Sequence, residues 1–285
     1  MSMSKSMTEG KRSSICTSSS LAGIHTVKVL VGAARSEFLI PRRVLVTCKY
    51  FRSLFDSSRL EFIDGRAHLV VELEGQCPDM FRLFEYWLVE RRSFDRLIDD
   101  AEVDHSCEQL HWDLVNLHLF GANIGETALQ DVAMDGLQDM YLRQNWEIST
   151  KLVRYVYTER DTQESYRLRR WIVAMIAWAM GGTEADGVVD TFQELFSECP
   201  SLWDDYNSHL SKVAASKLEV DLKSPALRLP SNNLRNGERQ FGYRQCSFHS
   251  HRSSVGQGVC PHTQAQSPLL YSPLTEGSGD SDSDS

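Results

Sequence analysis

The chain has 285 residues, enough for one or two domains, and a hydrophobic fraction of 41%, enough for a sizeable core. Its formal net charge is −9 and its pI is near 5.5. Such acidity argues against general nucleic-acid binding, which needs clustered Lys and Arg to neutralise phosphates.

The cysteines and the N-terminus indicate where the protein works. Seven cysteines are widely spaced and mostly lie in apolar helical patterns, as is usual in a reducing compartment. The N-terminus has no apolar signal core, and the longest apolar run, Trp171 to Met180, is about half of a membrane span. We therefore predict an intracellular protein of the cytoplasm or nucleus, with no membrane partner.

The first predicted elements follow a Ser/Thr-rich segment, residues 1–23, which lacks periodicity and is predicted to be disordered. Alternating residues predict a strand from Val27 to Gly32 and a hairpin partner from Ser36 to Ile40. Pro41 suits the first position of a helix, where its missing N–H costs nothing. That helix carries apolar residues at helical spacing as far as Phe55.

The next stretch returns to a strand and then to a helix. Residues 56–66 contain Asp, Ser, Arg and Gly and are predicted to form a loop. A strand is predicted from Ala67 to Leu73, and a helix with an aromatic stripe from Pro78 to Leu88. The charged stretch from Arg91 to Glu102 is predicted to be solvated.

Helices dominate the rest of the ordered chain. The apolar positions predict helices over Leu110–Leu119, Leu129–Met140, Ile148–Val156 and Leu168–Ala179, and two more either side of Pro200. From residue 217 the sequence is rich in Ser, Asn, Gln, Pro and Gly, so residues 217–285 are predicted to be a disordered tail. Its acidic Ser-Asp end suits both an acidophilic kinase and a plain solubilising role, and the sequence favours neither.

The order of these elements resembles the BTB/POZ domain, above all that of small fungal BTB proteins. The resemblance covers residues 24–142 and makes residues 143–216 a helical extension, in an α+β protein whose small sheet packs on helices. The residues that carry it are Val27 to Gly32, Phe38 to Leu45, Tyr50-Phe51, Val70 to Leu73, Phe81 to Leu88, Leu114 to Leu117 and Ile124 to Leu137.

The chain departs from the usual family pattern at four places. Pro41-Arg42 replaces a His-Lys pair, Lys49 replaces Ser, His25-Thr26 replaces a segment with Asp, and Val89 to Arg91 replaces Tyr-Thr-Gly. These changes leave the fold intact, but partner surfaces do not carry over automatically.

What the resemblance implies is a non-enzymatic scaffold that binds protein partners through helical surfaces and self-associates. Family members also bind cullins as substrate adaptors, through regions that correspond here to residues 78–90 and 105–125. No substrate-reading domain follows, so the adaptor is the alternative. The candidate partner surface comprises Phe84, Glu85, Leu88, Glu90, His111, Val115 and His118.

Enzymes and transcription regulators are further alternatives from other classes. The sequence contains no P-loop, nucleophile elbow, metalloprotease pair or DNA-binding motif, and Gly256-Gln257-Gly258 has no strand before it. His111 and His118 share a helix face about 10 Å apart, too far to ligate one ion. We predict no catalytic residue and no cofactor.

One pattern in the tail has the chemistry of a metal site. Cys246, His249, His251, Cys260 and His262 are all potential zinc ligands. Structural zinc needs a folded partner to hold its ligands, and the surrounding Ser, Gln and Gly supply none. The sequence therefore favours scattered Cys and His in a disordered tail, and no metal is assigned.

Overall fold

The computed structural model describes residues 25–55, 59–63, 66–91, 93–181, 186–215, 224–227 and 246–253. The protein is α+β, as predicted, with a small mixed sheet and a larger set of helices. The predicted disorder at residues 1–23 and at the acidic end lies outside the described residues.

The sheet has four strands in the order β2-β1-β4-β3: β1 Thr26–Val31, β2 Ser36–Pro41, β3 Arg59–Ile63 and β4 Arg66–Leu73. β1 pairs antiparallel with β2 and parallel with β4, and β3 pairs antiparallel with β4. The predicted loop over residues 56–66 was therefore wrong in part. Its polar residues suggested a turn, but residues 59–63 gain backbone partners from β4, which lies later in the chain.

Ten helices follow or interrupt these strands in the part of the chain that the structure describes. They are α1 Arg42–Leu45, α2 Lys49–Phe55, α3 Pro78–Glu90, α4 Asp95–Asp104, α5 Cys107–Asn123, α6 Thr127–Gln144, α7 Thr150–Thr158, α8 Thr162–Met180, α9 Asp186–Glu198 and α10 Pro200–Ala215. The predicted helix from Pro41 to Phe55 is thus divided into α1 and α2. Ser149 and Asp161 cap α7 and α8 through side-chain oxygens that accept backbone N–H groups.

The stretch from Arg91 to Glu102 was predicted to be solvated, but most of it belongs to α4. Phe94, Ile98 and Ala101 are buried at helical spacing, while the charged residues between them face outwards. Gly136 on α6 contributes to the close packing, because a Cβ there would lie 3.2 Å from Leu114 Cδ1 and that side chain would have to shift by a few tenths of an ångström. A short apolar stripe is therefore enough to make this segment a packed helix, although many of its residues are charged.

Five phenylalanines join the sheet to the helices. Phe38 of β2 meets Phe81 of α3 with ring centroids 4.8 Å apart, and Phe51 of α2 stacks on Phe84 of α3 at 5.5 Å. Phe120 of α5 makes an edge contact with Phe84 at 5.3 Å. We call this set the phenylalanine cluster, and its members are all buried.

The helical extension shares this core rather than forming a separate one. Trp171 of α8 is fully buried and makes an edge contact with Tyr141 of α6, at 4.8 Å between centroids. The buried apolar residues from Val27 to Phe248 form one continuous cluster. The helical hairpin formed by α5 and α6 therefore fixes the position of α8.

Replacing Phe84 by Ala should lower the free energy of unfolding by about 3–5 kcal/mol, because it leaves a cavity where four aromatic side chains meet. Urea denaturation followed by circular dichroism measures the change. Val89→Ala, on the same helix but 59% exposed, is the control and should shift stability by less than about 0.5 kcal/mol. Equal midpoints for the two variants would contradict the role of the cluster.

Candidate functional site: surface patches and a buried cysteine–histidine cluster

Most of the residues predicted to form the partner surface are buried in the structure. Phe84, Leu88, His111, Val115 and His118 are between 0% and 5% exposed and lie in the core. They lie on helix faces that pack against neighbouring elements, and for Phe84 the aromatic stripe on α3 already favoured core packing over a partner groove. These five residues cannot contact a partner in this conformation, so the predicted surface was wrong for them.

The other two residues of that set remain accessible. Glu85 is half-buried on α3, and burial raises its pKa above the ordinary value. Glu90 is exposed at the end of α3. Next to it Arg91 places its guanidinium 4.1 Å from the Trp87 ring centroid and donates to the Thr47 hydroxyl at 2.7 Å.

His111 is buried in the core, where its contacts are with other residues of this chain. Its Nε2 and the Tyr141 hydroxyl form a hydrogen bond of 3.2 Å, and the ring makes edge contacts with Trp112 and Trp146. Burial, helped by the positive charge of Lys151, lowers the pKa of His111 to about 4. His111 is therefore neutral near pH 7 in the folded protein.

An aromatic patch that the sequence did not predict lies on the helical extension. Trp203 of α10 is 47% exposed and contacts Phe196 of α9 at 5.1 Å and Tyr206 at 6.2 Å between centroids. Leu210, one further heptad along α10, is 37% exposed and shares the face of Trp203. We call the exposed Trp203 and Leu210, together with the half-buried Phe196 and the buried Tyr206 that pack beside Trp203, the α10 patch.

A polar groove of about 510 Å³ opens where α4, α5 and α6 end or begin. It is lined by Glu102, His105, Cys107, Glu108, Arg143, Gln144 and Trp146. Arg143 is held there by Asp99, at 2.5 Å, and Gln144 donates to Glu102 at 3.0 Å. The groove can accept a polar side chain of a partner.

Polar residues on α6 are buried beneath two short pieces of the C-terminal region. Gln138 is 1% exposed and donates from Nε2 to the Pro225 carbonyl at 2.7 Å. Asp131 accepts the Ser250 backbone N–H at 2.5 Å, and Gln130 accepts the Ser250 hydroxyl. The predicted disorder over residues 217–285 was therefore wrong for residues 224–227 and 246–253.

The C-terminal segment 246–253 packs against α6 and brings together the side chains of Cys246, His249 and His251. One potential ligand atom from each, the cysteine Sγ and a ring nitrogen of each histidine, lies within 4.8 Å of the others. His249 Nε2 lies 2.9 Å from Asp135 Oδ1, and His251 Nδ1 lies 2.5 Å from Asp131 Oδ2. The folded support for metal ligands, which the sequence around the tail cysteines and histidines does not supply, is therefore provided by α6. The other two predicted ligands, Cys260 and His262, lie outside the described residues.

The electrostatics of this cluster favour proton sharing between the tail and α6. Burial by itself would lower the pKa of His249, but its hydrogen bonds to the Asp135 and Cys246 side chains and the charges of Asp135 and Asp131 raise it to about 9. His118 of α5 lies close enough for His249 and Arg167 to act on it. Burial first, and then those two positive charges, lower the pKa of His118 to about 3.

A signal for this cluster was present in the sequence. Asp131 and Asp135 are four residues apart and so share a face of α6, alongside apolar residues that point into the core. Buried carboxylates need partners. Their pairing with a segment more than a hundred residues later could not be read from local patterns.

No protein-family model, no curated protein and no solved structure matches this chain. The resemblance to the BTB/POZ domain therefore stays a prediction. Among the described residues, none of the helices combines the length and the apolar character that crossing a membrane requires.

Lowering the pH from about 6.5 to 4 should destabilise the protein by up to about 1.4 kcal/mol per pH unit through His111. The unfolded chain takes up a proton at this histidine below 6.5, whereas the folded protein does not until about pH 4. His111→Phe should flatten this part of the pH dependence, measured by urea denaturation across the range. Identical slopes in the two proteins would contradict the assignment, since all other groups titrate in both.

Proposed function

We propose that this protein is a non-enzymatic protein–protein interaction scaffold of BTB/POZ type, which binds through helical surfaces and self-associates. The observation that carries the proposal is the α10 patch. Its exposed members, Trp203 and Leu210, share one face of α10. Exposed apolar groups of this kind are typical of binding sites, and Trp is among the side chains that most often dominate binding energy.

The order of the elements supports the BTB/POZ part of the proposal. A β1–β2 hairpin, two short helices, the later strand β4 beside β1, and the closing hairpin of α5 and α6 occur in the sequence that the resemblance implies. The continuous core supports a single rigid platform, in which the extension presents its outer helices to partners.

Self-association is the first step that can be tested with the purified chain alone. Sedimentation equilibrium should detect a dimer, and Trp203→Ala should weaken it by about 2 kcal/mol, or roughly thirtyfold in the dissociation constant. The matched control is Leu142→Ala on α6, 48% exposed and away from the α10 patch, which should leave the dimer unchanged.

Two results would count against this proposal. A strict monomer at every concentration would remove self-association. Equal weakening by Trp203→Ala and Leu142→Ala would show that the α10 patch is not the binding surface.

A cullin adaptor is the second candidate, and the polar groove favours it. His105, Cys107 and Glu108 of the groove fall within residues 105–125, the part that the resemblance connects with cullin binding. A purified cullin N-terminal domain should bind the chain, and Arg143→Glu should weaken that binding by reversing the charge at the groove wall. The α10 variant Trp203→Ala is the control. Absence of binding by the wild-type chain would remove the adaptor.

A further inference from the structure

Three side chains with the chemistry of zinc ligands are gathered in one short loop of the C-terminal segment. Cys246, His249 and His251 lie in a turn followed by a 3-10 helix over Ser250–Ser253, and the His249 N–H donates to the Cys246 carbonyl at 3.3 Å. The loop lies against α6, where Phe248 is 3% exposed and joins the common core. The folded support that a structural metal site needs is therefore present.

The spacing of the three ligand atoms fits one small cation. Zinc binds histidine nitrogen at about 2.0–2.1 Å and cysteine sulfur at about 2.3 Å, so two ligands on a tetrahedral ion lie roughly 3.5 Å apart. The atoms of Cys246, His249 and His251 all lie within 4.8 Å of one another. Small side-chain rotations close the difference.

The outer nitrogen of each histidine is fixed by a carboxylate of α6. Asp135 holds His249 through Nε2, and Asp131 holds His251 through Nδ1. The candidate ligand atoms are then the ring nitrogens on the far side from these carboxylates, Nδ1 of His249 and Nε2 of His251. Metal-binding histidines commonly have such a carboxylate on the far side of the ring, because it sets the tautomer and raises the basicity of the ligand nitrogen.

One buried nitrogen of the cluster has no hydrogen-bond partner. His251 Nε2 is buried and has no hydrogen bond. A buried polar atom without a partner costs about 1–3 kcal/mol, so a bound cation at this nitrogen would relieve the cost. A water molecule is the weaker alternative, because it does not account for a second histidine and a cysteine with their ligand atoms within 4.8 Å of a ring nitrogen of His251.

We propose that Cys246, His249 and His251 bind one zinc ion, which fixes the segment 246–253 on α6. The donor set of one thiol and two imidazoles suits zinc better than magnesium or calcium, which prefer oxygen. On binding, the Cys246 thiol and the ligand nitrogen of a protonated His249 each give up a proton to solvent, and the sulfur becomes a thiolate ligand. Water or a further side chain completes the tetrahedral coordination.

The competing interpretation is a catalytic triad of Cys246, His249 and Asp135. A nucleophile has to meet its substrate, yet Cys246 is 8% exposed and His249 is fully buried. Burial of this kind is ordinary for a structural metal site, which keeps its ligands closed off from solvent. The observations therefore favour metal binding.

The test uses the full chain, expressed with zinc in the medium, without a polyhistidine tag and passed through gel filtration. Mass spectrometry of the metal content should find about one zinc ion per chain. Cys246→Ser and His251→Ala should lose it, while Cys77→Ser and His25→Ala, which change the same residue types elsewhere, should retain it. Wild-type protein without zinc that also fails to bind added zinc would overturn the proposal, as would full zinc content in Cys246→Ser.

Two further measurements keep the result clear if a ligand variant folds poorly. Asp131→Asn and Asp135→Asn should lower zinc affinity by roughly 10–100-fold, because they act on the histidines and not on the ion. Cobalt(II) added to the metal-free wild-type chain should give the near-ultraviolet thiolate band and the visible bands of a tetrahedral site. An octahedral spectrum without the thiolate band would contradict the ligand set.

Alkylation separates the metal site from the catalytic triad. Iodoacetamide should modify Cys246 slowly in the zinc-bound protein and at least tenfold faster after chelation, with hydrogen exchange rising over residues 246–253 but not over α8. Rapid alkylation that chelation does not change would indicate an accessible nucleophile and overturn the proposal.

Discussion

The phenylalanine cluster is the interaction on which the rest of this structure depends. A sheet of four short strands has little stability by itself, and one face of it must be covered by apolar groups. Phe81 and Phe84 of α3 supply that cover and also meet Phe120 of α5. Because α5 pairs with α6, and α6 in turn holds Trp171 of α8, the cluster determines where the helical extension can lie.

The polar face of α6 imposes a second constraint. Asp131, Asp135 and Gln138 are buried, and groups of this kind destabilise a fold unless they find partners. Two pieces of the C-terminal region supply them, the Pro225 carbonyl for Gln138 and the histidines for the two carboxylates. The tail is thus part of the folded protein at these points, and its docking combines charge and hydrogen bonding with the burial of Ala226 and Phe248 in the core.

These two packing constraints determine which residues are buried in the core and which remain on the surface for binding. The residues that bind the core together, including His111 and His118, are withdrawn from partners because they fill the space between helices. The described surface includes the α10 patch, a polar groove at the ends of α4, α5 and α6, charged residues and further exposed apolar side chains such as Val103 and Tyr166. A scaffold fits this distribution, since its rigid centre and its binding surfaces involve different residues. The cysteine–histidine cluster adds a means of fixing the tail without occupying either surface.

Local patterns were sufficient for much of the architecture. Alternation in Val27 to Val31 and the stripe on α3 determined their elements, because each buried face repeats with the period of its own backbone. The same patterns could not show that His111 points inwards, since α5 is apolar on more than one face and only its neighbours decide which face is covered. They also missed β3, whose partner strand is supplied later in the chain.

What the sequence by itself determined about this protein is its α+β class, the order of most elements and the presence of Cys and His in the tail. Only the tertiary structure decided that Cys246, His249 and His251 meet Asp131 and Asp135. The physical reason is that helix and strand periods arise from neighbouring residues. A cluster of buried polar groups arises from chain closure across more than a hundred residues, and no local pattern encodes it.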